Sequence, residues 1–493
     1  MPFLLKDASE VTPQKICEYI KMHRNNLSAR YQRLEDYYTG KHDILLRQPK
    51  RRDDPCNNVV CNYAKYISDI GSGFLIGEPV SYQSEEDLTD LLEWFKFAEV
   101  DVQDNDNAED QSIYGVAYEL VYMSSDESPI PKTASIHPSQ AFVIYNSTVE
   151  LKPIAGVYYH ETRDTVTQQV NGYDAEISTD TQYMRFHLTA DFAIDGEVTT
   201  ENNPFGMVTL IEIYNNRFLQ GDFEQLISLI DGYNKQQSNR IDDKENFVNS
   251  LMVLKGQTLG YNQEEKSETY QDIKDNGVIE LTEGSDLSFL TRQSDSQGDQ
   301  LLTESIAKDI HKFSYIPDLT DEHFAANVSG VAMQFKLWGL MQLMKKKERY
   351  IKEGLRYRIK LFSAILAIKG KKPVDVENVT ITITRNLPKN LVELAQVIGN
   401  LQGICSNETL VAQLPFVEDP EKEVEKAAEE KRQAQDEQFV MDTWDNWRKQ
   451  TDDYMNRDFE RQLRAIKLAE KGKQAFEMAE KALAQNEIKN DTE

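Results

Sequence analysis

Apolar side chains recur along the 493-residue chain with two different periods, and each period predicts one type of element. In the first 50 residues, Leu27, Tyr31 and Leu34 keep near-helical spacing, which predicts a helix. From residue 113 to 215 the pattern changes to a period of about two, with short runs rich in β-branched and aromatic residues such as "GVAYELVY" and "VTLIEIY", which predicts strands separated by polar turns. A helix followed by a run of strands predicts an α+β block in this part of the chain.

Helical spacing returns in two segments, 225–248 and 300–314, which lie on either side of a mixed region. That region contains three short apolar runs that predict strands ("SLMVLKG", "GVIEL" and "LSFLT") and a polar stretch over 256–276. The alternation in "NVTITIT", residues 378–384, predicts one more strand, and the chain after Pro420 is predicted to be helical.

The longest predicted helix follows the polar loop "DEHFAAN" and covers residues 329–370. Ser329 can cap its N-terminus, no proline occurs before Pro373, and about forty residues at 1.5 Å each make a rod of roughly 60 Å. Its first half is apolar on nearly every side and its second half is basic, so we expect several different neighbours to enclose it. Gly339 and Gly354 inside it predict a kink or the close approach of another backbone.

Charge excludes one class of function and draws attention to two segments. The net charge of −28 makes tight wrapping of DNA improbable, because such binding depends on basic side chains that replace counterions on the phosphates. Residues 81–130 contain fourteen acids and one basic residue, Lys96, whereas residues 331–372 contain twelve basic residues and two acids. Each segment is interpreted either as a solvated face or as a charged wall that faces a partner.

Catalytic signatures are sparse. The sequence contains no GxxxxGK[ST] phosphate loop and no HExxH or GxSxG motif. The four cysteines predict neither a disulfide framework nor a zinc site, and no apolar stretch is long enough to predict a membrane span. The one candidate metal site is "DVQDNDNAED", in which Asp101, Asp104, Asp106, Glu109 and Asp110 could gather a cation; the alternative is a solvated acidic helix.

Several segments together resemble a known family. "LIDGYNKQQSNRIDDKENF" at 229–247, "PDLTDEHFAANVSGVAMQFKLWGL" at 317–340 and "KKERYIKEGLRYR" at 346–358 are similar to hallmark segments of phage portal proteins from long-tailed phages and prophages of Gram-positive bacteria. "YYTGKHDIL" and "GVAYELVY" resemble the family pattern in the same order. The resemblance covers roughly residues 25–420.

The resemblance implies a multi-region α+β portal fold, with a long spine helix, that assembles as a ring around a central channel. The implied regions are a wing at 1–222, stem helices at 223–248 and 300–316, a clip at 249–299, a tunnel loop at 317–328, the spine helix at 329–370, a strand that returns to the wing at 371–387, and a helical crown and C-terminal tail at 388–493.

The resemblance also implies roles for particular residues, and none of them is catalytic, metal-binding or cofactor-binding. The loop implied to face the DNA channel contains Asp318, Asp321, Glu322, His323, Phe324, Asn327 and Val328. Lys308 and Lys312 of the stem are implied to face the channel, while Phe335, Trp338 and Met341 are implied to pack between subunits. For the basic spine helix, contact with acids of a partner is favoured over a grip on DNA.

The implied protein is a structural component of the virion rather than an enzyme. It would form a ring, normally of twelve copies, at one capsid vertex, assembled in the host cytoplasm, through which double-stranded DNA passes without sequence specificity. Its implied partners are the terminase large subunit, a head-completion or adaptor protein, and the major capsid and scaffolding proteins, with no membrane partner. The alternatives are a metal-dependent nuclease that uses the acids at 101–110 and another structural protein of the head or tail.

Overall fold

A computed structural model of the chain describes residues 3–50, 54–126, 128–248, 251–255, 262–276, 284–290, 296–319, 330–385, 391–414, 417 and 419–450. Contacts divide the chain into two compact units, Met1–Leu387 and Pro388–Glu493. The mixture of helices and sheets in the first unit confirms the predicted α+β class. Across the described ranges, none of the helices combines the length and apolarity that crossing a membrane would require.

The helices of the first unit account for most of the helical segments predicted from periodicity. They are α1 (Pro13–Tyr38), α2 (Tyr63–Leu75), α3 (Thr89–Phe97), α4 (Val100–Tyr114), α5 (Ile227–Val248), α6 (Gln263–Asn276), α7 (Ser296–Ser314) and α8 (Gly330–Ile368). Of these, α3 and α6 were not predicted; the residues of α6 are almost all polar and show no apolar stripe.

The largest sheet has six strands in the order β1-β5-β6-β7-β8-β9. These strands are β1 (Phe3–Leu5), β5 (Ala141–Asn146), β6 (Pro153–Arg163), β7 (Val170–Ser178), β8 (Gln182–Thr189) and β9 (Ile194–Asn202). The pairing of β1 with β5 is parallel and the other pairings are antiparallel. The prediction of helix throughout the first 50 residues is therefore wrong at β1, since three residues are too few to show a period.

A smaller sheet, in the order β10-β3-β4, lies next to the long helix. Its strands are β3 (Val116–Met123), β4 (Pro131–Ile136) and β10 (Leu210–Tyr214). The short strands β2 (Ser81–Gln83) and β13 (Thr380–Thr382) form a separate antiparallel pair, which confirms the strand predicted within 378–384. In the mixed region, β11 (Leu251–Lys255) pairs with β12 (Asp286–Leu290), whereas the run "GVIEL" lies outside the described residues.

Two hydrophobic cores stabilise the first unit, and α1 contributes to both. Ile16 and Ile20 of α1 belong to the smaller core, on the six-stranded sheet, while Tyr31 and Leu34 belong to the larger core. The larger core also contains Leu355, Ile359 and Phe362 of α8, which are almost completely buried. The second half of the long helix thus has its apolar stripe covered by the same chain, while its opposite side is exposed.

The predicted long helix is present as the 39-residue helix α8. Gly354 within α8 does allow a close approach, but the approaching group is a side chain rather than the predicted backbone. A Cβ at this position would lie 2.8 Å from Cγ1 of Ile213 on β10. A Cβ added at Gly339 would likewise meet a side chain, since it would lie 3.2 Å from Cδ1 of Tyr315.

The second unit contains three described helices. They are α9 (Leu391–Leu401), α10 (Asn407–Val411) and α11 (Pro420–Gln450). Ser406 caps α10 by accepting a hydrogen bond from the backbone N–H of Thr409. Helix α11 begins at Pro420, where the helical tail is predicted, and α9 lies within the segment 388–493 that the resemblance implies to be helical. The predicted helical tail beyond residue 450 lies outside the described residues.

The packing of Gly354 leads to a stability prediction. Gly354→Ala should lower the free energy of unfolding by about 1 kcal/mol or more, because overpacking against Ile213 costs about 1–3 kcal/mol and exceeds the gain in helix propensity. Gly232→Ala in α5 is the matched control, since nothing lies within 4 Å of its added Cβ, and it should be neutral or stabilising. Urea unfolding measures both changes; equal effects of the two substitutions would contradict the proposed contact.

Candidate functional site

The first half of α8 buries one face against its own chain and leaves another face bare. Leu337, Leu340 and Met344 are buried in the larger core. Phe335 and Trp338, in contrast, are 75% and 58% exposed. Because residues three apart share one side of a helix, these two aromatic rings form one exposed apolar face.

The exposed aromatic face extends beyond α8. Tyr315, just after α7, is 58% exposed and lies against α8 at Gly339, adjacent to Trp338. Met341, the third residue predicted to pack between subunits, is instead partly buried and packs against the larger core. The predicted inter-subunit role of Phe335 and Trp338 stays a prediction, and within a single chain both side chains are available for contact.

The second half of α8 is fixed by a buried ion triad. The Arg358 guanidinium, with no exposed surface, donates from Nε and Nη2 to the two carboxylate oxygens of Glu119, both at 2.6 Å. Nη2 also donates to Oδ1 of Asp104 at 2.6 Å, and the Asn107 side chain donates to Glu119 at 2.8 Å. The helix is therefore tied to α4 and to β3 through one side chain.

Burial and charge act in opposite directions on the pKa values of this triad. Burial raises the pKa of Asp104 to about 6, and the neighbouring Arg358 cation opposes that rise. Burial alone would lower the pKa of Arg358, but the two carboxylates hold it well above its usual range. The guanidinium is consequently charged, and removing it would leave two carboxyl groups buried without a cation.

Three further ion pairs involve residues of α8 and partners in the same chain. Lys347 binds Asp222, and both side chains are almost completely buried. Glu348 of α8 binds Arg385 at 2.6 Å and Lys352 at 2.8 Å. The prediction that the basic helix faces acids of a partner is therefore wrong for Lys347 and Arg358, whose partners belong to the same chain.

Other cations of α8 remain exposed. Lys345, Lys346, Arg349, Arg356 and Lys360 are exposed and have no ion pair within the described ranges. These five side chains of the basic segment are available to an acidic partner. The buried and the exposed cations thus lie on different sides of α8, a difference that composition alone does not show.

The acids at 101–110 do not converge on a common point. Asp104 is buried against Arg358, whereas Asp101 and Asp106 are exposed. Glu109 accepts a hydrogen bond from the Tyr38 hydroxyl at 2.9 Å, and Asp110 accepts one from Ser135 at 3.1 Å. No group of three or more acids, histidines or cysteines with metal-site geometry occurs in the part of the chain that the structure describes. The interpretation as a wholly solvated acidic helix is also wrong, because Asp104 is internal.

The start of the predicted channel loop is anchored by aromatic side chains. The Tyr66 hydroxyl donates to the Pro317 carbonyl at 3.0 Å and accepts from the Leu319 N–H at 3.3 Å. His311 Nδ1 contacts the Ile316 carbonyl at 3.1 Å, and its Nε2 lies 3.9 Å from Asp318. These groups line part of a cavity of about 290 Å³ and hold the chain where it leaves α7.

Most of the predicted channel residues cannot be placed. Asp321, Glu322, His323, Phe324, Asn327 and Val328 lie outside the described residues. Lys308 and Lys312 are exposed on α7, and their four-residue spacing puts them on one side of the helix. Their predicted role in the channel stays a prediction.

Sequence reasoning missed the residues that position α8. Arg358 carries a signal, because it occupies the same helical face as Leu355, Ile359 and Phe362, and a lone arginine on an apolar face needs buried partners. Glu119 carries the equivalent signal within the apolar strand "VAYELVY". The anchoring role of Tyr66 has no comparable signal, since its partners are backbone groups about 250 residues away in sequence.

Substitution of Arg358 tests the buried triad. Arg358→Met should lower the free energy of unfolding by about 3–5 kcal/mol at neutral pH, because two carboxylates lose their buried cation. Loss of the cation raises the pKa of Asp104 beyond about 6, and a carboxyl whose pKa is raised by folding favours the folded state at lower pH. The loss of stability should therefore shrink as the pH falls through this raised pKa of Asp104.

The control for this prediction is Arg356→Met, on the same helix. Arg356 is exposed and has no ion pair among the described residues, so its replacement should change stability by no more than about 0.5 kcal/mol. Urea unfolding at about pH 7.5 and about pH 5 measures both variants. Similar losses for the two variants, or a loss for Arg358→Met that is independent of pH, would refute the account of the triad.

Comparisons with known proteins agree with the resemblance found in the sequence. The portal protein of Bacillus phage SPP1 is 27% identical over 432 residues, which cover 80% of this chain and 82% of that protein. The portal protein of Clostridium phage phiCD119 is 23% identical over 435 residues, which cover 81% of this chain and 92% of that protein.

Similar solved structures come from gene transfer agent particles. The neck of a native particle aligns with a TM-score of 0.39 and 11% identity, covering 72% of this chain and 89% of that chain. The neck of an empty particle aligns with a TM-score of 0.41 and 12% identity, covering 70% and 87%. The family described as "Phage portal protein, SPP1 Gp6-like" matches residues 18–437. Because that match spans most of the chain, the chain belongs to the SPP1 Gp6-like family of phage portal proteins, components of the phage head.

Proposed function

We propose that the chain forms a closed ring, normally of twelve copies, at one capsid vertex, and that DNA enters and leaves the head through its channel. The observation that carries this proposal is the exposed face of Phe335 and Trp338 on α8. Large exposed apolar groups next to a buried core are typical of surfaces that are covered on association. Head-to-tail contacts between identical copies close into a ring when the rotation between neighbours divides a full turn.

The proposed regions follow the sequence of elements. In this proposal the wing is 1–222, the stem is 223–248 and 300–316, the clip is 249–299, the tunnel loop is 317–328, the spine is 329–370, the returning strand is 371–387, and the crown and tail are 388–493. The strand pair β2–β13 supports the returning strand, since it joins 380–382 to 81–83 within the first unit.

The negative charge of the chain would let DNA move through the proposed channel. Twelve copies of net charge −28 carry about 12 × −28, or −336, and duplex DNA carries one negative charge per roughly 1.7 Å of its axis. Net repulsion allows the duplex to slide, whereas 6 to 10 lysine or arginine contacts with phosphates would hold it at low salt. Electrostatic repulsion therefore favours a conduit over a DNA-binding protein.

The energy for DNA movement is proposed to come from a partner. The sequence lacks the phosphate-binding loop of packaging ATPases, so we assign ATP hydrolysis to a terminase large subunit that docks on the clip. A head-completion or adaptor protein would dock there after packaging, and the capsid and scaffolding proteins would contact the wing. Assembly in the host cytoplasm belongs to the same proposal, in which the chain has a structural rather than an enzymatic role.

The first test concerns ring formation. Replacing Phe335 and Trp338 by alanine together should raise the concentration for half-maximal assembly by about several hundredfold, since interface hot-spot aromatics contribute about 2 kcal/mol each and the pair therefore about 4 kcal/mol. Unfolding of the unassembled chain should change little, because both side chains are already exposed there. Native mass spectrometry over a concentration series measures the assembly.

A control for ring formation is the replacement of Val149 and Val166 by alanine. Both are highly exposed, but they lie in the loops after β5 and β6, away from α8. This variant should assemble as the wild type does. A wild-type protein that stays monomeric or forms only two-fold dimers at micromolar concentration would refute the proposed ring.

The second test concerns the predicted loop. Replacing Asp321 and Glu322 by lysine changes each chain by four charges, or 12 × 4 = 48 in a ring of twelve. The resulting collar of positive charge should hold the duplex, so rings should form normally but package DNA slowly or fail to release it. DNA packaged per ring is the measurement. A wild-type packaging rate from these rings would remove the loop from the mechanism.

A further inference from the structure

A basic cavity of about 530 Å³ lies beside the middle of α8. It is lined by the loop that follows β10 and by α8 between Leu343 and Glu353. We name it the basic pocket, and its charged and aromatic residues that matter here are Arg217, Phe218, Lys346, Arg349 and Tyr350. The buried pair of Lys347 and Asp222 also contributes to its lining.

The net positive charge of the basic pocket favours an acidic occupant. Its lining contains four cations and two acids, Asp222 and Glu353, so its net charge is about +2 in a chain whose net charge is −28. Asp222 is already bound to Lys347. Arg217, Lys346 and Arg349 are exposed and have no ion pair among the residues that the structure describes.

The basic pocket also has an apolar component that a small anion would not need. The Phe218 ring is 76% exposed at the edge of the cavity, next to Arg217. Exposed aromatic rings beside arginines are typical of the central residues of protein–protein contacts. The occupant should therefore present carboxylates and apolar side chains together, which describes a protein surface rather than free phosphate or a DNA backbone.

The same chain carries a surface with these properties. Helix α3 and the start of α4 expose Leu92, Phe97 and Val102, which are 41%, 67% and 55% exposed. Between them lie three acids, Glu93, Glu99 and Asp101, and one base, Lys96; all four are exposed and have no ion pair within the described ranges, so the acids outnumber the base. We name this surface the acidic face, and its residues are Leu92, Glu93, Phe97, Glu99, Asp101 and Val102.

The basic pocket and the acidic face of one chain lie too far apart to bind each other. Helix α4 is held at Arg358 by Asp104, whereas Lys346 and Arg349 lie nine to twelve residues earlier on α8, about 14–18 Å away along the helix axis. Both surfaces remain exposed in the isolated chain. Each copy thus has one basic surface and one acidic surface at different places, which is the requirement for head-to-tail association.

We infer that the basic pocket of one copy receives the acidic face of the next copy in the ring. This inference rests on the proposed ring and specifies which surfaces form it. Carboxylates at 93, 99 and 101 neutralise Arg217, Lys346 and Arg349, and Phe97 packs against Phe218. Pairing of opposite charges also fixes the order of copies, because two basic pockets or two acidic faces repel each other.

Reciprocal charge reversal tests the inference. Lys346→Glu with Arg349→Glu makes a chain with an acidic pocket, and Glu93→Lys with Asp101→Lys makes a chain with a basic face. Each variant alone should need about a hundredfold higher concentration for half-maximal assembly, because like charges then meet at every contact. Mixed in equal amounts, the two variants should recover rings of alternating chains, since both types of contact are again between opposite charges.

Asp191→Lys with Glu197→Lys is the matched control. It introduces the same change of charge as the acidic-face variant at two exposed acids, one in the turn between β8 and β9 and one on β9, and it should assemble as the wild type does. Native mass spectrometry follows all the proteins, with one variant isotope-labelled to count chains in mixed rings. Thermal unfolding of each variant confirms that the chain is folded.

The outcomes separate this inference from the proposed function. A wild-type protein that forms no rings refutes the ring itself. Wild-type rings together with normal assembly of each variant alone refute only the pairing of the two surfaces. Variants that are folded but fail to assemble both alone and when mixed also refute that pairing. Rings that form normally from each variant but no longer bind an acidic partner protein would assign the basic pocket to that partner.

Discussion

The structure depends on one buried cation, Arg358, held by Asp104 and Glu119. A guanidinium with no exposed surface needs such partners, because an unpaired buried charge would cost several kcal/mol. The partners come from α4 and β3, so a single side chain sets where α8 lies on both elements. A buried ion triad contributes little net stability compared with apolar residues of the same size. We therefore propose that the triad sets the position of α8 along α4 and β3 rather than adding to the free energy of unfolding.

Once the second half of α8 is fixed, its first half is held at the edge of the chain. Met344 and Leu340 continue the buried stripe, while Phe335 and Trp338 remain exposed. The same division separates the cations, since Lys347 is internal and Lys346 is external. Helix α8 therefore extends from the core of a subunit to the surfaces on which we expect neighbouring subunits to pack. A shift of α8 along its axis would change both the core and those surfaces.

Periodicity predicted the helices well where apolar stripes are continuous, as in α5, α7 and α8. It failed for β1, which is too short to show a period, and for α6, which is nearly all polar. The partners of Arg358 could not be predicted, because they lie 239 and 254 residues away in sequence and depend on how the core closes. For the same reason the spacing of the acids at 101–110 predicted an acidic helix but did not indicate that Asp104 is buried within it.

In a single chain the aromatic face of α8 is bare, and we propose that it is covered in the assembly. Oxidative footprinting of the protein before and after assembly measures this directly, residue by residue. The account predicts that Trp338 and Phe335 are oxidised in the unassembled chain and become protected in the ring, while Trp94, which is 5% exposed, is protected in both states. Equal oxidation of Trp338 in the two states would contradict the account.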